Sequence, residues 1–184
     1  MQLLARAPVT VAFTGHRPDK LRRYREDAVR AALDDAVSRI VGRHPGALFL
    51  SGMALGVDQV AAELVIRARD GGLPCLLAAI VPFQGQDSRW PAEDRERYRS
   101  LLALADQVVV LGRPPISREH AREMLLARNR WMVRHASLVL AVWDGSPGGT
   151  AHTVREAVRA GVTVARFDPR RPELGWRRLH DADA

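Results

Sequence analysis

Apolar residues along this chain fall alternately into short unbroken runs and longer stretches of helical spacing. The runs Val9–Thr14, Ala47–Leu50, Cys75–Val81, Gln107–Leu111, Leu138–Trp143 and Val162–Phe167 have strand length and predict six strands. Between them, apolar positions recur every three or four residues in Arg25–Val41, Val57–Arg69, Arg118–His135 and Thr150–Ala160, the mark of helices with one buried face. Pro91 suits a helical first turn and opens a further helix running to about Ala105. Gly42 with Pro45, and Gly71 and Gly72 with Pro74, stop the helices that precede them. Cys75–Val81 is bounded by prolines and suits a central strand covered on both faces. Strand and helix alternate without an internal repeat. The pattern predicts an α/β fold: a single Rossmann-like, open, mostly parallel sheet with helices on both faces, spanning residues 1–168. The tail, 169–184, is rich in Arg and Pro and contains Trp176, and its pattern fits either a packed or a loose end.

Composition narrows the class. In 184 residues, 47% hydrophobic, no apolar run reaches the roughly 18–20 residues of a membrane span, and the N-terminus lacks the pattern of a signal peptide. A cytoplasmic protein without a membrane partner is expected. Cys75, the only cysteine, lies inside an apolar run and reads as a buried structural thiol. The net charge of +7 invites nucleic acid as a partner. Against that, Lys20 is the one lysine among 28 basic residues, and arginines alternate with acids in E-D-R-E-R (93–97) and R-E-H-A-R (118–122), as on solvated helix faces. Aromatics make up only 5%, which leaves few stacking partners for bases.

Candidate chemistry gathers at three strand ends. Leu138–Ala157 reads strand, Gly-rich turn, helix, with Asp144, Gly148 and Gly149 in the turn and Thr150 as the expected N-cap. Bare glycine backbone beside a helix N-terminus can cradle a phosphate. Thr153 and Glu156 lie three apart, and His152 and Glu156 four apart, on that helix. No cysteine cluster or second histidine pair supports a metal, and no cofactor is expected. After the first strand, T-G-H-R-P offers Gly15, His16 and Arg17. Either Arg17 clamps a phosphate with its planar fork, or Gly15 and Pro18 shape the turn while His16 and Arg17 face solvent. After the second strand, Ser51 and Gly52 are candidates to line a pocket, and Met53 and Leu55 to pack. Asp58 suits either a helix-start dipole role or a ribose contact. Arg128 and Asn129, with Arg130, form a polar cluster late in a long helix and can equally be an exposed stripe. The turns after strands one, two and five are expected to meet at one crevice.

These motifs together resemble the SLOG superfamily (Smf/DprA and LOG, Rossmann-like), closest to its YpsA/YspA-like members. The resemblance covers residues 9–168 and rests on T-G-H-R-P, S-G-M-A-L-G-V-D (51–58), P-F-x-G-Q (82–86), R-N-R-W-M-V (128–133) and G-G-T-A-H-T (148–153). It implies a nucleotide or nucleotide-derivative binding protein, either a sensor or a nucleoside 5′-monophosphate phosphoribohydrolase. In the hydrolase case, likeness to LOG enzymes makes Arg128 and Glu156 the catalytic pair. Likeness to DprA implies instead a single-stranded DNA binder, and a third alternative is a non-catalytic homodimeric interaction module. The LOG pattern P-G-G-x-G-T-x-x-E is altered here to P-G-G-T-A-H-T-V-R-E. One added helical residue rotates the acid by about 100°.

Overall fold

The structure is a computed structural model that describes residues 6–179. In chain order the elements are β1 (Thr10–Gly15), α1 (Pro18–Leu21), α2 (Glu26–Arg43), β2 (Ala47–Ser51), α3 (Val57–Asp70), β3 (Cys75–Val81), α4 (Ala92–Leu104), β4 (Gln107–Val110), α5 (Arg118–Arg134), β5 (Leu138–Val142), α6 (Gly149–Arg159), β6 (Thr163–Phe167), a 3-10 turn at Pro172–Leu174, and β7 (Trp176–Arg178). The six expected strands are present, each within a residue or so of its sequence bounds. Three elements are additional. Pro18 starts the one-turn helix α1 inside the expected first turn, and part of the tail forms the 3-10 turn and β7.

The strands make one sheet in the order β4-β3-β2-β1-β5-β6-β7. Neighbours are parallel except β6 and β7, which run antiparallel. The chain steps outward from β1 to β4 and then crosses back through α5 to lay β5 beside β1. Right-handed crossovers place helices on opposite faces when the direction of travel reverses. One buried cluster accordingly joins α2, α3 and α4 to the sheet, and a second joins α5 and α6 to the other face. The reversal falls between β1 and β5, whose carboxyl ends open onto a crevice.

Strand alternation divides the core between these faces. Phe13 and Phe49 point to the α2–α3 side and stack with centroids 5.5 Å apart, while Leu48, Leu50 and Ile80 point to the α5–α6 side. Cys75 is buried, and its Sγ contacts the Val65 carbonyl at 3.7 Å; burial pushes the thiol up. Among the described residues no helix is long and apolar enough to cross a membrane.

The tail is anchored by Trp176. Its ring lies 5.6 Å from Phe167 across the β6–β7 pair, and its Nε1 donates to the Ala32 carbonyl at 2.9 Å. Trp176→Ala should therefore lower unfolding stability by about 2 kcal/mol in urea denaturation, below the range of a fully buried aromatic because the ring is half-buried. A loss under about 0.5 kcal/mol would mean that the seventh strand does not secure the fold.

Candidate functional site

Three loops meet because their backbones are pared to glycine where they touch. A Cβ on Gly15 would lie 2.5 Å from Val57 Cβ, and one on Gly56 would lie 2.4 Å from the His16 carbonyl. Gly56 also has φ +96°, a conformation that suits only glycine without strain. With both side chains absent, the Val57 amide donates to the His16 carbonyl at 3.2 Å. The loop after β1 is thus tied to the start of α3.

The same loop is tied to the loop after β5. The Asp144 amide lies 3.1 Å from His16 Nε2 and donates toward it. Asp144 Oδ1 stands 3.0 Å from it and also accepts from the Ser146 amide at 2.8 Å, while Oδ2 accepts from the Tyr24 hydroxyl at 2.7 Å. Lys20, on α1, donates to Ser146 Oγ at 2.7 Å and to the Pro147 carbonyl at 3.1 Å. Burial lowers the affinity of His16 for a proton more than Asp144 raises it. Burial works to raise the Asp144 carboxyl as well, but hydrogen bonds from Ser146 and Tyr24 and the nearness of His16 hold it well below the ordinary carboxylate range.

Beneath the loops lies Arg128. Its residue is 3% exposed, and neither Nε nor Nη1 has a hydrogen-bond partner. Asp58 Oδ2 stands 3.8 Å from Nη1, within ion-pair range but beyond hydrogen-bonding distance. A Cβ on Gly52 would fall 1.5 Å from Nη1, so only glycine there leaves room for the guanidinium. Burial pushes the Asp58 carboxyl up, and Arg128 and Arg17 pull it back. The Gly52 turn is held from below. Ser51 Oγ donates to the Asp58 carbonyl at 2.8 Å and accepts from the Met53 amide at 3.1 Å. Gln86, from P-F-x-G-Q, donates to the carbonyls of Gly52 and Met53 at 3.4 and 3.3 Å. These bonds secure Met53 at φ +57°, unusual for a residue with a side chain.

These elements enclose a cavity of about 650 Å³ at the carboxyl ends of β1 and β5. Of the sequence candidates, Gly15, His16, Arg17, Asp58, Arg128, Asn129, Gly148, Gly149 and Thr150 line it. Ser51 and Gly52 support its floor instead, and Asp144 braces its wall through His16. Thr153 donates to the Gly149 carbonyl at 3.0 Å within α6. Glu156 is not on the cavity wall; its Oε1 pairs with Arg159 at 3.3 Å. Thr150 is not the N-cap. The helix begins at Gly149 and its N-cap is Gly148, at φ +148°, with no side chain bonded to the helix amides. The reason is local: an extended turn at this φ needs glycine, so the helix starts one residue early. A Cβ on Gly148 or Gly149 would meet nothing within 4 Å, so this corner is open. Arg128 is not part of an exposed stripe, and His16 is buried while Arg17 is exposed.

Several wall residues were not singled out from the sequence. Arg122, Leu125 and Leu126 precede Asn129 at spacings of seven, four and three on α5, so tracing its periodicity backward finds them. Arg155 sits on α6 three residues after His152, which the sequence had already pointed to and which also lines the wall, and Lys20 comes from the unexpected α1. In all, five cationic side chains (Arg17, Lys20, Arg122, Arg128 and Arg155) face two carboxylates, Asp19 and Asp58. Among the described residues no group of three or more His, Cys, Asp or Glu is placed to hold a metal ion.

The family model described as the YspA SLOG family matches residues 11–163. The prophage-derived protein YoqJ of Bacillus subtilis is 31% identical over 132 residues, covering 66% of this chain and 76% of that protein. A UPF0398 protein of Bacillus cereus is 27% identical over 157 residues, covering 82% and 83%. Among solved structures, DNA processing protein A of Streptococcus pneumoniae superposes with a TM-score of 0.65 at 19% identity, over 91% of this chain and 52% of that one. Its Helicobacter pylori counterpart, described for its single-stranded DNA binding mode, gives 0.63 at 18% identity over 91% and 68%. This chain thus spans about half of the pneumococcal protein, and the likeness is one of fold.

The His16–Asp144 tie has a pH signature. His16 binds its proton less readily folded than unfolded, so the stability it contributes is full above its ordinary value of 6.5 and falls as pH drops through that value. Asp144 acts in the same sense at lower pH, below the ordinary carboxylate value. The urea midpoint should fall between about pH 7 and about pH 5, and His16→Asn should flatten that drop. An unchanged slope in the variant would show that His16 does not titrate with unfolding.

Proposed function

Because this chain belongs to the YspA SLOG family, whose matched region contains every loop of the crevice, we propose that it binds a phosphorylated nucleotide or nucleotide derivative there. One observation carries the reading. The open amide corner of α6 lines the same cavity as a buried arginine whose Nε and Nη1 lack partners. A helix start without a capping side chain offers unpaired N–H donors, and a buried guanidinium gains most from an anion. The ligand's phosphoryl group sits at Gly148–Thr150, with Lys20 and Arg155 beside it. Leu125 and Leu126 supply apolar surface for a base, and Asn129 an amide to read a base edge or a ribose hydroxyl. About 650 Å³ is of the size that holds a nucleotide.

The protein acts as a receptor for this ligand rather than as a hydrolase. Cleaving an N-glycosidic bond calls for a carboxylate near the developing ribose cation. Glu156 pairs with Arg159 off the cavity wall, and Asp58, one of the two carboxylates that line the cavity, is ion-paired with Arg128 at 3.8 Å. The second reading, binding of single-stranded DNA, draws on the net charge of +7 and the DprA-like fold. It is the weaker one, because no Phe, Tyr or Trp lines the cavity to stack on bases.

A thermal-shift series with nucleosides and their 5′-mono- and diphosphates tests the proposal. Phosphorylated members should raise the melting temperature and the parent nucleosides should not. The exposed-side-chain variant Arg17→Ala/Arg155→Ala should weaken binding by about tenfold or more. If no nucleotide stabilises the wild type, or the double variant binds as well, the proposal fails. Base release from nucleoside monophosphates should stay at the level of Glu156→Gln; turnover above it would restore the hydrolase. Strongly salt-dependent oligonucleotide binding without a nucleotide shift would favour the DNA reading.

A further inference from the structure

Single exposed apolar side chains are ordinary on a protein surface, but a run of them marks a contact site. Of the seven large hydrophobic residues exposed among the described residues, five (Leu104, Val108, Val110, Leu111 and Ile116) fall within 104–116, and Ile116 is 92% exposed. All five lie on β4 or on the segments leading into and out of it. Strand β4 ends the sheet. It pairs with β3 on one side, and among the described residues no backbone group bonds its other side. An open strand edge is a template for a further strand, and folds blunt such edges with charge or brevity. The opposite edge is blunted so, β7 being three residues long with Arg177 and Arg178 exposed. By contrast, residues 107–112 at the β4 edge carry no charge and no proline.

We propose that β4 pairs antiparallel with β4 of a second copy of this chain, across a two-fold axis at Val109. The edge is complementary to itself in that register. Val109 meets its own copy, Val108 meets Val110 of the second copy, and Gln107 meets Leu111, so no two charges are opposed. Val108 and Val110 align with Ala79 and Val81 of β3 on one face of the sheet, and the axis extends that apolar face into the second copy. Centring on Val108 would set Asp106 against Val110. Centring on Val110 would set Val108 against Gly112 and Gln107 against Arg113.

Charge at the two ends of the strand favours the same arrangement. At the amino end Asp70 and Asp106 share one cation, Arg69, at 3.1 and 3.0 Å. Helix α4 also ends there, with no basic residue in its last turn to offset the negative end of its dipole. At the carboxyl end Arg113 is exposed and has no ion-pair partner among the described residues. Antiparallel pairing carries Arg113 of each copy to the acidic end of the other, opposite Ala105, the C-cap of α4. The two-fold makes this exchange twice.

The test follows the mass of the full chain by sedimentation velocity at concentrations up to about 100 μM. The wild type should reach twice 20.4 kDa. Val108→Lys/Val110→Lys places like charges opposite each other twice and should weaken association by at least about a hundredfold. Val108→Lys/Val110→Glu replaces the same two exposed valines but sets opposite charges across the axis, and it should dimerise. That contrast separates strand pairing from damage to the fold. Arg113→Glu, outside the strand, should weaken the dimer by about threefold or more. A wild type that stays at 20.4 kDa would overturn the proposal and leave the edge to a strand of another protein. So would a first double variant that dimerises like the wild type, or a second that stays monomeric. No residue of the crevice is altered, so none of these outcomes depends on nucleotide binding.

Discussion

A guanidinium buried under glycine organises the end of this molecule where the loops meet. Taking a charge out of water costs several kcal/mol even after relaxation, and a partner repays the cost only with good geometry. Arg128 has a partner in Asp58, but at 3.8 Å it is too far for a hydrogen bond. The arrangement persists because the surroundings leave no alternative. Gly52 provides the space, Ser51 and Gln86 hold the turn, and the core on both sides prevents collapse. A fold that keeps an imperfectly paired charge at the floor of a cavity keeps an electrostatic demand there, and an anion arriving from above meets it.

The loops carrying the other donors are locked by a second set of bonds, and the two sets cooperate. His16 is the hinge pin: its carbonyl fixes α3, and its ring fixes the Asp144 turn that leads into α6. The two helices whose N-termini approach the crevice are therefore oriented by one residue of the loop after β1. This follows from the topology. Only at the reversal between β1 and β5 do loops from both faces of the sheet come within reach of one side chain.

The fold was largely legible in the sequence because its signals were redundant. The parallel strands are mostly apolar runs, β6 being interrupted by Arg166, and each ends at or within three residues of a glycine or proline. The elements that escaped notice, α1, the 3-10 turn and β7, are three or four residues long and lack the length for periodicity to register. Gly-rich turns and the position of Arg128 also stood out. What sequence could not show was which polar groups face inward. Ser51 and Asp144 have the chemistry of ligands but are spent on the scaffold, and nothing in their spacing distinguishes the two uses. Arg128 reads like its neighbour Arg130 until packing against Gly52, a contact between residues far apart in the chain, sets it apart. Tyr24 escaped because it matters only through Asp144.

Helix α6 shows how a small shift in sequence changes what a site can do. Ala151, Val154 and Ala157 bury one side of this helix against the sheet, and that apolar stripe fixes its rotation. Once rotation is fixed, the faces available to the cavity are decided by residue number alone. His152 and Arg155, three apart, fall on the cavity side, and Glu156, one residue further, is carried round by about 100° to Arg159. Bringing Glu156 itself to the crevice would require deleting a residue before it, and that deletion would drag the apolar stripe out of the core. Burial of α6 and the cationic character of the crevice are therefore set by the same register.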